Sequence, residues 1–382
     1  MWGQIFSVAG AVWWVIAIAL FGLSLGGALL QPVVQRRRPK RLDRPAISAI
    51  VPVKCLDPGF KTTQTSIFLQ DYPDYEILVS AAERQSPALD VAREVAAAFP
   101  ARVCRFLCSE GNGAVSPKLN TLAAPLAAAR NDFVFTKDSN ITLAPDAMAV
   151  FMQNFAGNVG LVVAVPVAVR PETFAGRIEA CLINGHARLL LTASALGLGF
   201  GVGKTMLFRR SDLAAAGGVE AISHSLAEDT ALSQSLAAQG LKTVFAHRTV
   251  GQEIGARTLR EIYDRQVRWS VIRRANERFT YPLEPLSSAL PAAFAGALAA
   301  PLAGAPGISG FLFTFTGWFF AETTLAYCKG WDVSLLSPLA FVAREILSLA
   351  AWLRAWTTYD VVWAQGRFDA RKGVRAASRT QA

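Results

Sequence analysis

Apolar and polar positions alternate in three different textures along the chain. Residues 2–30 carry no charge at all. About 20 apolar residues suffice for a helix to cross the hydrocarbon core, so this run predicts a spanning anchor over 1–31. A cleaved signal would begin with basic residues and hold a shorter apolar run of about 7–15 residues. From 47 to 280 short apolar runs alternate with amphipathic stretches. ISAIVPV (47–53), YEILVSA (75–81), RVCRFLC (102–108) and DFVFTKD (132–138) are continuous and β-branched, as in strands buried on both faces. PALDVAREVAAAF (87–99) and KLNTLAAPLAAA (118–129) between them have helical spacing. Strand–helix alternation predicts an α/β domain with a parallel-rich sheet covered by helices, whose ligands bind beyond the carboxyl ends of the strands.

After 280 the texture changes again. Residues 285–304 and 307–327 are each about one bilayer long and joined at Pro306-Gly307, which predicts a transmembrane helical hairpin. A third stretch, 333–353, holds Arg344 and Glu345 near its middle. Charge is costly at the bilayer centre, so this stretch is expected at the interface or partly re-entrant. The chain thus divides into an anchor (1–31), a linker (32–46), an α/β domain (47–280), transmembrane or interfacial helices (281–358) and a tail (359–382).

Composition sharpens this picture. Of 382 residues 52% are hydrophobic and 17% charged, and the mean hydropathy is +0.32. The net charge of +10 could suggest nucleic acid. However, Arg36, Arg37, Arg38, Lys40, Arg41 and Arg44 follow the anchor, and Arg367, Arg371, Lys372, Arg375 and Arg379 crowd the tail. Basic residues beside apolar segments mark the cytoplasmic side and meet anionic headgroups. No zinc-finger spacing or aromatic–basic interleaving points to nucleic acid. Five cysteines form no C-x-x-C pair, as expected of reduced, buried thiols in a cytoplasmic domain.

GLGFGVGKTMLFRR (197–210) resembles a phosphate-binding loop, since Gly203-Lys204-Thr205 could end a Walker pattern. The first glycine should stand at 198, which is Leu, and no helix follows at the required spacing. The glycines here instead permit sharp turns or close backbone approach.

Three elements carry candidate chemistry. Asp138 closes a buried strand and could bind a diphosphate's metal, or be a turn or capping residue. Glu228-Asp229 opens a helical stretch, where acids also compensate the helix dipole. Arg265 and Arg268 share a helical face beside Trp269 and could clamp a diphosphate, or line a basic membrane-surface helix.

Their order, followed by a membrane hairpin, resembles that of membrane glycosyltransferases with the nucleotide-diphospho-sugar (GT-A) fold. Within them the chain is most similar to the ceramide glucosyltransferase family. The likeness runs over nearly the whole length, through AIVPVKCLDPGF, LQDYPDYEILVS, SPALDVAREVAAAFP, SPKLNTL, KDSNI, LAEDTAL and RQVRW. It implies that Glu83, one methylene longer than the family's usual aspartate, meets uracil and ribose. Lys118 and Asn120 would lie near the nucleotide. Asp138 would hold the divalent metal (Mn2+ or Mg2+), with Asn140 where related enzymes have a second Asp. Asp229 would be the catalytic base, and Arg265, Arg268 and Trp269 the (Gln/Arg)-x-x-Arg-Trp element. His186 and Glu228 would serve on the acceptor side, whereas His224 and His247 read as surface or packing residues.

The resemblance further implies inverting transfer of a hexose, glucose foremost, from a UDP-sugar to the hydroxyl of a membrane lipid, ceramide foremost. Diacylglycerol and hopanoid lipids are the alternative acceptors. The partners are then the donor, the lipid and the membrane, with no nucleic acid, and the catalytic domain faces the cytoplasm at a bacterial inner membrane. A polysaccharide synthase and a non-catalytic membrane scaffold are the competing classes.

Overall fold

The computed structural model describes residues 2–110, 113–363 and 366–371. Lys372, Arg375 and Arg379 of the basic tail lie outside the described residues. The chain folds into two compact units. One comprises Pro32–Val169, Ala193–Gly255 and Asp360–Ala382; the other comprises Met1–Gln31, Arg170–Thr192 and Ala256–Tyr359.

The first of these is the α/β unit. Its strands are β1 (Ile47–Pro52), β2 (Tyr75–Ala81), β3 (Cys104–Cys108), β4 (Phe133–Lys137), β5 (Ile141–Thr142), β6 (Val159–Val163), β7 (Pro166–Pro171), β8 (Thr205–Arg209), β9 (Lys242–Phe245) and β10 (Val250–Gly255), with a separate two-stranded ribbon of β11 (Asp360–Trp363) and β12 (Gly366–Asp369). Seven of them form one sheet in the order β3-β2-β1-β4-β8-β6-β9. β1 pairs in parallel with β2 and β4, β2 with β3, and β6 with β9. β8 runs antiparallel to both of its neighbours, β4 and β6. The sheet is therefore mixed and mostly parallel. A second, three-stranded sheet has the order β5-β10-β7.

Side-chain alternation sorts the core. Ala49, Val51, Ile77, Val79 and Phe135 face one side and pack with Phe60, Ile67, Leu89, Val95 and Phe151 from helices Phe60–Phe68, Pro87–Ala97 and Ala147–Asn154. Ile50, Leu78 and Val134 point the other way, and helix Pro117–Ala128 packs on β1 and β2. Lys137 lies on the same strand face as Phe135. It is buried, and its ammonium has no hydrogen-bond partner among the described residues. Burial pushes its pKa down to about 7, against the pull of Asp138, Asp57 and Glu253.

The other unit is helical. Helix Trp2–Arg36 contributes its residues up to 31, and its stretch from Gly3 is the only helix among the described residues that is long and apolar enough by itself to cross a membrane. Phe21 stacks on Trp318 at 3.8 Å, and the Trp14 indole donates to the Thr314 hydroxyl at 2.8 Å.

The expected hairpin differs from its sequence reading. Residues 307–327 do form one helix, Gly307–Cys328, but 285–304 break into a 3-10 turn (Tyr281–Ser287), helix Ala289–Ala299 and a second turn (Ala300–Ala303). Pro285 and Pro301 stand in the two turns, where a ring without an N–H stops α-helical bonding. An 11-residue helix is only about 16 Å long. The two turns and the helix make a bent pair, at 66°, that could count as a span only if taken together. The two helices touch where a Cβ on Gly310 would lie 2.2 Å from the Gly296 carbonyl. Helix Ser337–Ala355 carries Arg344, whose guanidinium donates to Glu322 at 2.6 Å and Glu345 at 2.7 Å, so its charge is met within the unit.

The cysteines depart in part from expectation. Cys55 and Cys328 are exposed rather than buried, and Cys104, Cys108 and Cys181 are half-buried. Burial pushes the Cys104 and Cys181 thiols up to about 11. Only thiolate reacts, so at pH 8 their alkylation should run about 100-fold slower than that of a thiol near the usual pKa. Mass spectrometry after brief iodoacetamide treatment should find Cys55 and Cys328 modified first. Equal labelling of Cys104 would contradict the packing of β3.

Candidate active site

The end of β4 organises the α/β unit's charged cluster. Asp138 follows the strand, and its two carboxylate oxygens face two ammonium groups. Lys118 lies 2.7 Å from Oδ1 and Lys204 lies 3.2 Å from Oδ2. Burial alone would raise the Asp138 pKa, but the two lysines outweigh it and hold the carboxyl below the usual range.

Lys118 comes from the first turn of helix Pro117–Ala128. Ser116 caps that helix, its hydroxyl oxygen accepting the Leu119 N–H. Lys118 also reaches Glu228 at 3.3 Å and donates to the Gly203 carbonyl. Burial would lower its pKa, yet Asp138, Glu228 and Asp229 together raise it.

Glu228 and Asp229 open helix Glu228–Ala237, as the sequence pattern implied. Glu228 is buried and accepts from the Ser116 hydroxyl at 2.9 Å. Burial and the neighbouring Asp229 raise its pKa against the effect of Lys118. Asp229 is half-buried and fixed through both oxygens: Oδ2 accepts the Gly203 N–H at 2.6 Å and Oδ1 the Thr230 N–H at 2.8 Å.

The glycine-rich segment shapes this environment. A Cβ on Gly201 would lie 2.0 Å from the Asp229 carbonyl, and one on Gly199 would lie 1.8 Å from that of Thr243. Only glycine permits these approaches. Thr205 then begins β8 rather than a helix, so Gly203-Lys204-Thr205 has no phosphate-binding-loop geometry. The segment brings its backbone against the acidic helix.

The remaining candidates in this unit lie apart from the cluster or serve structure. Asn120 donates to the Ala114 carbonyl at 2.7 Å and accepts its N–H at 2.9 Å, bracing the chain ahead of the helix. Glu83 is exposed in the bend after β2. His224 is exposed, and His247 hydrogen-bonds with Asn154 at 2.9 Å.

The donor set at Asp138 does not fit the divalent metal expected there. Beside a diphosphate such an ion is held by one or two carboxylates together with the phosphate oxygens. Here both Asp138 oxygens are ion-paired, residue 140 is a neutral Asn, and the oxygens of Glu228 and Asp229 are engaged as described. Among the described residues no group of three His, Cys, Asp or Glu side chains could hold a metal ion.

In the helical unit Arg265, Arg268 and Trp269 lie on helix Leu259–Asn276, started by a capping box between Thr258 and Glu261. Arg265 donates to Glu179, which is fully buried and also lies 3.3 Å from Arg257. Burial, then the Arg265 charge, lowers the Arg268 pKa to about 10. Trp269 is half-buried. His186 opens onto a cavity of about 280 Å³ lined also by Arg188, Gln266, Glu284, Trp318 and Trp352. His186 is exposed towards this cavity, and crowding by the surrounding protein, with the charges of Arg273, Arg344 and Arg188, holds its pKa below the usual imidazole value. The neutral ring's Nδ1–H donates to the Leu182 carbonyl at 2.9 Å.

The profile of glycosyl transferase family 21 matches residues 11–376. The chain belongs to glycosyl transferase family 21. It is a glycosyltransferase related to the ceramide glucosyltransferases, as the motif order implied. Ceramide glucosyltransferase 1 of Caenorhabditis elegans is 24% identical over 353 residues, 87% of this chain and 73% of that protein. Ceramide glucosyltransferase of Komagataella phaffii is 24% identical over 288 residues, 65% of this chain and 55% of that protein, so the match spans little more than half of the second relative. Mannosyltransferase PcManGT from Pyrobaculum calidifontis, solved in complex with GDP-Man and Mn2+, is 17% identical over 90% of this chain and 98% of its own, with a TM-score of 0.49.

Three features of this family 21 enzyme escaped the sequence reading. Lys204 was visible only as part of a failed Walker pattern. Ser116 and the Gly203 backbone, which fix Glu228 and Asp229, carry no motif of their own. Their signal is positional: a cap residue before Lys118, and glycines spaced by two ahead of a strand.

Proposed function

We propose that this glycosyltransferase moves a hexose, glucose foremost, from a UDP-sugar to the hydroxyl of a membrane lipid, ceramide foremost, with inversion at the anomeric carbon. The observation that carries the reading is the Asp229 carboxylate, held by the Gly203 N–H at the start of its helix and next to the Asp138 cluster. A hydroxyl is a weak nucleophile at neutral pH, so a carboxylate must take its proton as the new bond forms. Asp229 fills that role. With Asp229 as the one base assigned, transfer is a single displacement that gives a β-linked product.

Glu83, Lys118, Asn120, Arg265, Arg268 and Trp269 are assigned to the donor from their motif positions. His186 and Glu228 are assigned to the acceptor side, and the cavity beside His186 supports a polar headgroup there. The names of the two relatives favour ceramide and glucose. The apolar N-terminal helix followed by basic residues supports anchoring with the α/β unit at the cytoplasmic leaflet.

The test is incubation of membranes containing the protein with labelled UDP-glucose, UDP-galactose and UDP-N-acetylglucosamine, and with ceramide, diacylglycerol or hopanoid acceptors. Mass spectrometry and NMR of the product should show a single β-linked hexosyl ceramide. An α-linked product rules out the single displacement, polymer alone indicates a polysaccharide synthase, and UDP binding without turnover indicates a scaffold.

A further inference from the structure

This inference rests on the donor being a nucleoside diphosphate sugar, as proposed above. When the sugar leaves, negative charge collects on the diphosphate and some cation must meet it. Each oxygen of the strand-end carboxylate already faces an ammonium group, Lys118 at 2.7 Å and Lys204 at 3.2 Å, so two fixed cations stand where a metal would bring its charge. Lys204 sits in the glycine-rich turn directly before β8, 24% exposed, while Lys118 is held deeper by Glu228 and the Gly203 carbonyl. A lysine on such a loop is a compact charge on a flexible stem, suited to meeting phosphate oxygens as they change charge.

We propose that Lys204, with Lys118, supplies at the leaving diphosphate the positive charge that a divalent cation would otherwise bring, so that transfer by this chain does not depend on added metal. The acceptor oxygen forms its bond to the anomeric carbon and loses its proton to Asp229. The bond from that carbon to the diphosphate oxygen breaks, and its electron pair stays with UDP. Both lysines remain protonated throughout. Asp138 acts as a positioning residue that holds the two ammonium groups in place between turnovers.

The full-length protein in detergent micelles, titrated with UDP by calorimetry in EDTA, tests this. Binding in EDTA should match binding in Mg2+ or Mn2+ within about threefold, and transfer from UDP-glucose should persist in EDTA. Lys204→Met should weaken UDP binding by about tenfold and slow transfer by about 10²-fold, the scale for losing one group that stabilises developing charge. UMP lacks the second phosphate, and its binding should change far less. Lys204→Arg keeps the charge and should restore most of the loss, which separates charge from shape. Should Lys204→Met fail to fold, the EDTA comparison on the unaltered protein still decides. UDP binding that appears only with Mn2+ or Mg2+ overturns this inference and leaves the donor reading intact. UDP binding in neither condition overturns the donor reading and this inference with it.

Discussion

Asp229→Asn is expected to reduce glycosyl transfer by about 10²–10⁴-fold, the usual contribution of a positioned general base. The substitution is nearly isosteric. The asparagine carbonyl can still accept the Gly203 N–H that Asp229 accepts at 2.6 Å, and only the bond from the Thr230 N–H is lost, at a cost of about 1 kcal/mol, so the chain should still fold and bind UDP. What is lost is the ability to take the acceptor's proton. Initial rates with labelled UDP-sugar, beside thermal unfolding and UDP titration on the same preparation, separate these effects. Near-wild-type transfer by Asp229→Asn, with Asp138→Asn or Arg268→Ala inactive, would remove Asp229 from the chemistry.

The second large effect belongs to a residue with no side chain. Gly201→Ala would place a methyl group 2.0 Å from the Asp229 carbonyl carbon's oxygen, a distance that real atoms do not tolerate. The neighbour is backbone rather than the end of a flexible chain, so either the loop or the acidic helix must move. Overpacking of this kind costs about 1–3 kcal/mol, and the shift is delivered at the residue that must meet the acceptor. A lower unfolding midpoint together with a loss of transfer of at least about 10²-fold is expected, since small misplacements of a reacting group have that effect. Gly317→Ala is the control, because nothing lies within 4 Å of a Cβ there. It should leave both measurements unchanged. Full activity in Gly201→Ala would mean that the loop does not set the position of Asp229.

How much of this was legible in the sequence depends on whether a residue's role is local. β1, β2 and β4 announced themselves because strands buried on both faces must be apolar at every position. The antiparallel course of β8 did not, because TMLFR is as apolar as its neighbours and strand direction leaves no trace in composition. The breaks at Pro285 and Pro301 were written in the sequence, but hydropathy averaged over a bilayer's length passes across them. Among the site residues, Asp138 and Asp229 could be placed because a strand end and a helix start are local signals. The ion pairs of Lys204 with Asp138 and Arg265 with Glu179 join positions 66 and 86 apart, and no spacing rule anticipates them. The divalent metal was expected from one carboxylate whose lysine partners were not yet known.

The weaving of the chain has a practical consequence. Residues 170–192 and 256–280 belong with the anchor and the C-terminal helices, although 193–255 return to the sheet. A soluble fragment cut at 47 and 280, the natural first choice for crystallisation, would strand Ile178, Leu182 and Ile262 in solvent without Ala340, Ala343 and Leu347, which pack with them. Such a truncation should express poorly or aggregate through that bared strip. Biochemical work is therefore better served by retaining both ends and extracting the whole polypeptide in detergent.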